Sequence, residues 1–248
     1  MMNMTETVKQ LIIINVIFFV GAQFVPAAQD FLALFYFENP SFKVWQPITH
    51  MFMHGGLMHI LFNMFALYSF GSALEHFWGG KKFLFFYISC GLGSALLHTA
   101  VNYFSFHGGL NFLMENGFQQ EEIMKILAEG KFDTRWQEAM GNTNFTGFLQ
   151  SYLVPVVGAS GAIYGLLVAF AFMFPNAELA LMFIPVPIKA KYFVPGLLLV
   201  DLFLGVSGKS IFGGSSGIAH FAHIGGALVG FIMMSYWKKN QFKDNRWN

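Results

Sequence analysis

Residues 153–174 read LVPVVGASGAIYGLLVAFAFMF, a run without a charged side chain that carries one serine, Ser160. Its length matches the ~20 residues that take a helix across a bilayer. Pro155 and Gly158 disfavour regular helix just ahead of the serine. Ser160 is therefore expected at a helix start inside the membrane, where free backbone N–H groups and the positive end of the dipole point toward it. Gly161 and Gly165, four apart, have the spacing of a helix-packing pair. Taken alone, such a serine reads as a packing residue that bonds back to a carbonyl one turn earlier.

The rest of the chain has the same character. Of its 248 residues, 55% are hydrophobic and 11% charged, and 32 are phenylalanine. That composition excludes a soluble globule with an ordinary charged surface. A net charge of +1 and the lack of a basic cluster speak against a nucleic-acid partner. The single cysteine, Cys90, cannot form an internal disulfide. Six apolar segments are drawn, at 10–26, 56–76, 82–104, 153–174, 191–206 and 218–237. Helices are the expectation for each, since every backbone group in lipid needs an internal partner. The expected fold is an all-α membrane bundle of six helices, one domain over 1–248. The first segment resembles a signal peptide in its start, and is read as a retained helix.

Charge sets the expected orientation. Lys9, Lys81, Lys82, Lys189, Lys191, Lys238, Lys239, Lys243 and Arg246 fall on one side of a six-span arrangement, with Lys43 and Lys209 in the short loops opposite. Both termini are therefore expected to be cytoplasmic. Residues 27–49, rich in aromatic side chains, read as an interfacial segment. Residues 105–150 carry most of the acids. Helical spacing at Ile123, Ile126 and Leu127, then at Phe132, Trp136 and Met140, predicts one or two surface helices there. No internal repeat is visible, which disfavours inverted-repeat transporters.

Polar groups inside a membrane are functional candidates. His59 and Asn63 share a helix face at i and i+4, and imidazole N–H and carboxamide NH₂ are donors suited to an oxyanion. The bland alternative is interhelical bonding. His50 and His54 have the spacing of a zinc pair, but Met51, Phe52 and Met53 stand between them, with no acid nearby. No metal is expected there, and no cofactor. His223 precedes Gly226 and Gly230, which let its helix approach that of Ser160 closely. A neutral histidine can take the proton from a serine hydroxyl. His220 is a rival base on roughly the same face, and Asp201, within the fifth segment, reads mainly as a bonding residue between helices.

Three motifs carry a resemblance: residues 54–63, HGGLMHILFN; residues 158–165, GASGAIYG; and residues 222–226, AHIGG. In order, spacing and placement they resemble the rhomboid family of intramembrane serine proteases, in its bacterial six-helix form. The resemblance covers nearly the whole chain. It implies Ser160 as nucleophile and His223 as general base and acid, a dyad without an acid. It implies an oxyanion hole of His59, Asn63 and the Ser160 N–H with Gly158 near it, Tyr164 stacked on His223, and His54 bonding loops to the second helix. Trp45-Gln46 departs from the family's Trp-Arg, which puts the first loop's anchoring in question. Residues 207–217 resemble the family's flexible cap. The implied activity is cleavage of peptide bonds in or near transmembrane segments of membrane-protein substrates, in a bacterial plasma membrane. The residues leave two other classes open: a transporter or channel with a histidine-lined proton path, and an inactive relative that binds membrane clients.

Overall fold

The computed structural model describes residues 3–181, 184–207 and 218–244. In chain order it begins with α1 (Glu6–Phe24), then the short α2 (Ala27–Leu32) and α3 (Gln46–Thr49). Next come α4 (Leu57–Ala66), a π turn (Leu67–Gly71) and α5 (Ser72–Trp78), which run on as one span. Then follow α6 (Gly80–Glu115), α7 (Gln120–Ala128), α8 (Thr134–Met140), α9 (Asn142–Leu153) and α10 (Ser160–Met173). The strands β1 (Glu178–Leu181) and β2 (Ile184–Lys189) lead into α11 (Ala190–Ser207) and α12 (Ile218–Asp244). The chain is an all-α membrane bundle. Among the described residues, four helices are long and apolar enough to cross a bilayer: α1, the α4–α5 span, α6 and α11. α10, at 14 residues, is shorter.

The centre is α6, α10 and α12, packed on one another, with α11 against α10 and α12. Small residues permit this. A Cβ on Gly230 would stand 2.9 Å from the Gly165 Cα, and one on Gly226 would land on the Gly161 carbonyl oxygen. A Cβ on Gly161 would collide with Ser94, and one on Gly165 with Cys90, both from α6. The sequence reading missed α6 as the third partner, although the small residues of 89–94, SCGLGS, were a visible signal.

α1 is tied in at its start. Thr5 makes no side-chain cap. Instead the buried Glu75 of α5 accepts from the Thr7 and Val8 N–H groups at 2.9 Å each, and from the Thr5 hydroxyl. A carboxylate there satisfies orphan donors and complements the helix dipole. Glu75→Ala should cost about 1.5–3 kcal/mol, the worth of hydrogen bonds to a charged group, seen as a lower thermal midpoint in detergent.

Several boundaries differ from expectation. The third helix runs to Glu115 rather than ending near 104, because Phe106, Leu110 and Leu113 are buried under α7–α9. Ile123, Leu127, Trp136 and Met140 point into this second core as their spacing predicts, whereas Phe132 is half exposed and precedes α8. Burying such side chains is worth about 1.5–3 kcal/mol each, so residues 105–150 form a packed cap. The fourth segment is helical only from Ser160. Before it, Val156 pairs with Leu34 through two backbone bonds of 2.9 and 3.0 Å. The β1–β2 hairpin was not expected. The cap expected at 207–217 lies outside the described residues apart from Ser207, the last residue of α11.

Candidate active site

The first loop builds one wall. Gln46 is fully buried. Its amide donates to the Ser41 carbonyl at 3.0 Å, and its oxygen accepts from the Phe35 N–H at 3.2 Å. Glutamine thus does the anchoring that its substitution for arginine had put in question. Trp45 Nε1 donates to the Phe31 carbonyl at 3.0 Å, and the Thr49 hydroxyl to Leu32 at 2.8 Å. The loop also holds the serine's approach: the His50 carbonyl accepts from the Gly158 N–H at 2.9 Å. His50 Nδ1 in turn lies 2.9 Å from the Gln46 carbonyl. Burial pushes the His50 imidazole down to about 4, so the ring is neutral at neutral pH.

Gly158 has φ of +121°, a conformation that L side chains rarely adopt. This turn redirects the chain into α10, so that Ser160 opens the helix and its first N–H groups have no intrahelical partner. A Cβ at Gly158 would lie 2.7 Å from His59 Nε2 and 3.7 Å from the Ser160 Oγ. The imidazole edge and the hydroxyl therefore flank one small space. His59 Nδ1 accepts from the Gly55 N–H at 3.4 Å, which favours the tautomer with the proton on Nε2, facing that space. Asn63, buried one turn on, gives one amide hydrogen to the His59 carbonyl at 3.0 Å, and no partner for the second is seen among the described residues. His54 meets His59 edge on, with ring centroids 5.0 Å apart. Burial, and then the His59 ring, pushes the His54 imidazole down to about 4. Both buried ring nitrogens of His54 lack a hydrogen-bond partner among the described residues, so the loop-to-helix bonding expected of it is not seen and its contact with His59 is ring to ring.

α12 brings His223 to the serine. His223 Nε2 lies 2.9 Å from the Ser160 Oγ. Its ring stacks on Tyr164, with centroids 4.3 Å apart and planes at 9°. Behind the ring, Asp201 of α11 sits 3.5 Å from His223 Nδ1 and 2.5 Å from His220 Nδ1. His220 therefore faces Asp201, and the hydroxyl faces His223. Asp201, His220 and His223 place ligating atoms within 4.8 Å of one another, a set that could hold a metal ion. Two tetrahedral zinc ligands sit roughly 3.3 Å apart by standard bond lengths. The 2.5 Å Asp201–His220 separation is that of a hydrogen bond instead.

The arrangement contains a hydroxyl, an acceptor nitrogen bonded to it, and donors around an adjoining space. These are the parts of acyl transfer. A rhomboid domain model matches residues 41–113 and 134–239, and the chain belongs to the rhomboid family. It is similar to the presenilin-associated rhomboid-like protein, mitochondrial, of Homo sapiens, 26% identical over 244 residues, covering 95% of this chain and 51% of the relative. It is similar to the presenilin-associated rhomboid-like protein A, mitochondrial, of Danio rerio, 27% identical over 225 residues, covering 88% and 45%. RHOMBOID-like protein 12, mitochondrial, of Arabidopsis thaliana is 27% identical over 197 residues, covering 79% and 47%. The chain thus spans about half the length of these relatives.

Proposed function

We propose that this chain is an intramembrane serine endopeptidase that cleaves peptide bonds in or near the transmembrane segments of membrane-protein substrates. The observation that carries this reading is the 2.9 Å bond between the Ser160 Oγ and His223 Nε2, inside an apolar bundle. His223 takes the serine proton as Oγ attacks the scissile carbonyl. The carbonyl oxygen, now negative, is held by His59 Nε2–H, the free Asn63 amide hydrogen and the Ser160 N–H, with Gly158 keeping the space open. His223 then protonates the leaving amine, and the acyl-enzyme is released by water that His223 activates. Tyr164 keeps the imidazole flat against α10. Gly226 and Gly230 bring the two helices together.

The reading includes six spans, α10 and α12 joining α1, the α4–α5 span, α6 and α11. It sets both termini on the cytoplasmic side of a bacterial plasma membrane, supported by the one-sided lysines. The matched relatives are mitochondrial by name, which makes a mitochondrial membrane the second location to test. An intact Ser160–His223 bond favours the enzyme over a proton-path transporter or a client-binding relative without chemistry.

Mass-spectrometric mapping of a fluorophosphonate adduct, with cleavage of a membrane-segment reporter in liposomes, tests the proposal. An adduct on Ser160 that blocks cleavage supports it. An unlabelled, still active Ser160→Ala variant would overturn it. Asn63→Ala should lower kcat on the order of 10²–10³-fold, as loss of an oxyanion donor does, with KM little changed in steady-state assays.

A further inference from the structure

Asp201 is an acid in a segment that reads as membrane-spanning, and it is buried. A carboxylate in such surroundings is costly unless bonded. If it served only to join helices, His220 at 2.5 Å would suffice. It stands, however, behind the base. The Ser160 Oγ is at one ring nitrogen of His223 and the carboxylate is at the other. The buried residues of α11 are Ala190, Val194, Asp201 and Gly205, which follow helical spacing on one face. This face places the acid between α10 and α12.

We propose that Asp201 is a third member of the catalytic machinery, a positioning residue that accepts the His223 Nδ1–H and leaves Nε2 free to act as base. This rests on the reading of Ser160 as nucleophile. A neutral imidazole carries one proton. Held on Nδ1 by the carboxylate, it leaves a lone pair on Nε2 toward the hydroxyl. When the Ser160 proton moves to Nε2, the imidazolium forms beside the carboxylate, where low dielectric strengthens the attraction. No proton passes to Asp201. The Nδ1 proton stays on His223 throughout, and the Nε2 proton goes to the leaving amine. His220, bonded to the same carboxylate oxygen, keeps Asp201 in place. The histidine-and-acid group thus departs from a dyad that works without an acid.

The test uses the full chain in liposomes and begins with the unaltered protein, whose Ser160 must take the fluorophosphonate. Failure there, with cleavage retained in Ser160→Ala, removes the nucleophile reading before Asp201 is examined. In Asp201→Asn, which keeps the size of the side chain, acylation rate and kcat should fall by about tenfold or more, less than the 10⁴-fold seen when a soluble triad's aspartate is changed. KM should stay within about twofold, the mark of an interaction made in the transition state. A merely structural role would move KM and thermal midpoint instead. A second measurement needs no variant to fold at that position. ¹⁵N-histidine spectra of the unaltered protein should show a strongly downfield Nδ1 proton that disappears in His223→Ala. An acylation rate in Asp201→Asn equal to that of the unaltered protein, or a His223 Nδ1 proton with the shift of a solvated imidazole, would overturn the proposal.

Discussion

Changing Ser160 or His223 to alanine should each lower kcat/KM for a membrane-segment substrate on the order of 10⁴-fold or more, and changing both should cost no more than either. In the proposed mechanism the two groups act as one unit. Without the Oγ no acyl-enzyme forms, and His223 has nothing to deprotonate. Without the imidazole the hydroxyl keeps its proton and is a poor nucleophile. The residual rate comes from the oxyanion donors, which remain in either variant. Single-turnover cleavage of one reporter by the four proteins, with equal amounts folded, checks the result. Losses that add in free energy would mean that the 2.9 Å bond is not the route of the proton.

The second large effect falls on a residue without a side chain. Gly226→Val should destabilise the bundle by about 3 kcal/mol, the upper part of the range for overpacking, and remove activity with it. In most cores a neighbouring side chain can turn away. Here the obstacle is the Gly161 carbonyl, backbone one residue after the nucleophile. The helices must part, and Ser160 moves away from His223 as they do. Gly196 of α11 is the control, since a Cβ there meets nothing within 4 Å. Gly196→Ala should fold and cleave normally. Thermal unfolding in detergent and reporter cleavage, measured on both variants, separate a packing effect from a general intolerance of change in the bundle.

The central helices were readable from sequence because their few polar residues stand out in apolar runs. Ser160, His223, His59 and Asn63 were named for that reason. The structure brings Ser160 to His223, and His59 to the space beside Gly158. What escaped the reading had ambiguous local signals. Gly108 and Gly109 look like breakers, yet α6 runs through them, because a Cβ at Gly109 would strike the Phe148 ring of α9. The hairpin of β1 and β2 gave no sequence signal, since prolines at 185 and 187 disfavour a central strand, yet a two-stranded hairpin is all edge. Asp201 and His220 were visible as residues and not as a pair, since nineteen positions and a chain reversal separate them. Distance across a fold is the quantity that spacing along a chain does not carry.

Gly158 gives its N–H to His50, and Val156 pairs with Leu34. Backbone bonds, which no change of side chain deletes, thus stitch the segment leading to the nucleophile onto the first loop. On that flank the molecule behaves as a fixed jamb. α11, like α1, buries only one narrow face, at Ala190, Val194, Asp201 and Gly205. Under the proposed function, a segment that entered beside α11 would press on the helix that carries Asp201 behind His223, so substrate entry and the setting of the imidazole would be coupled through one helix.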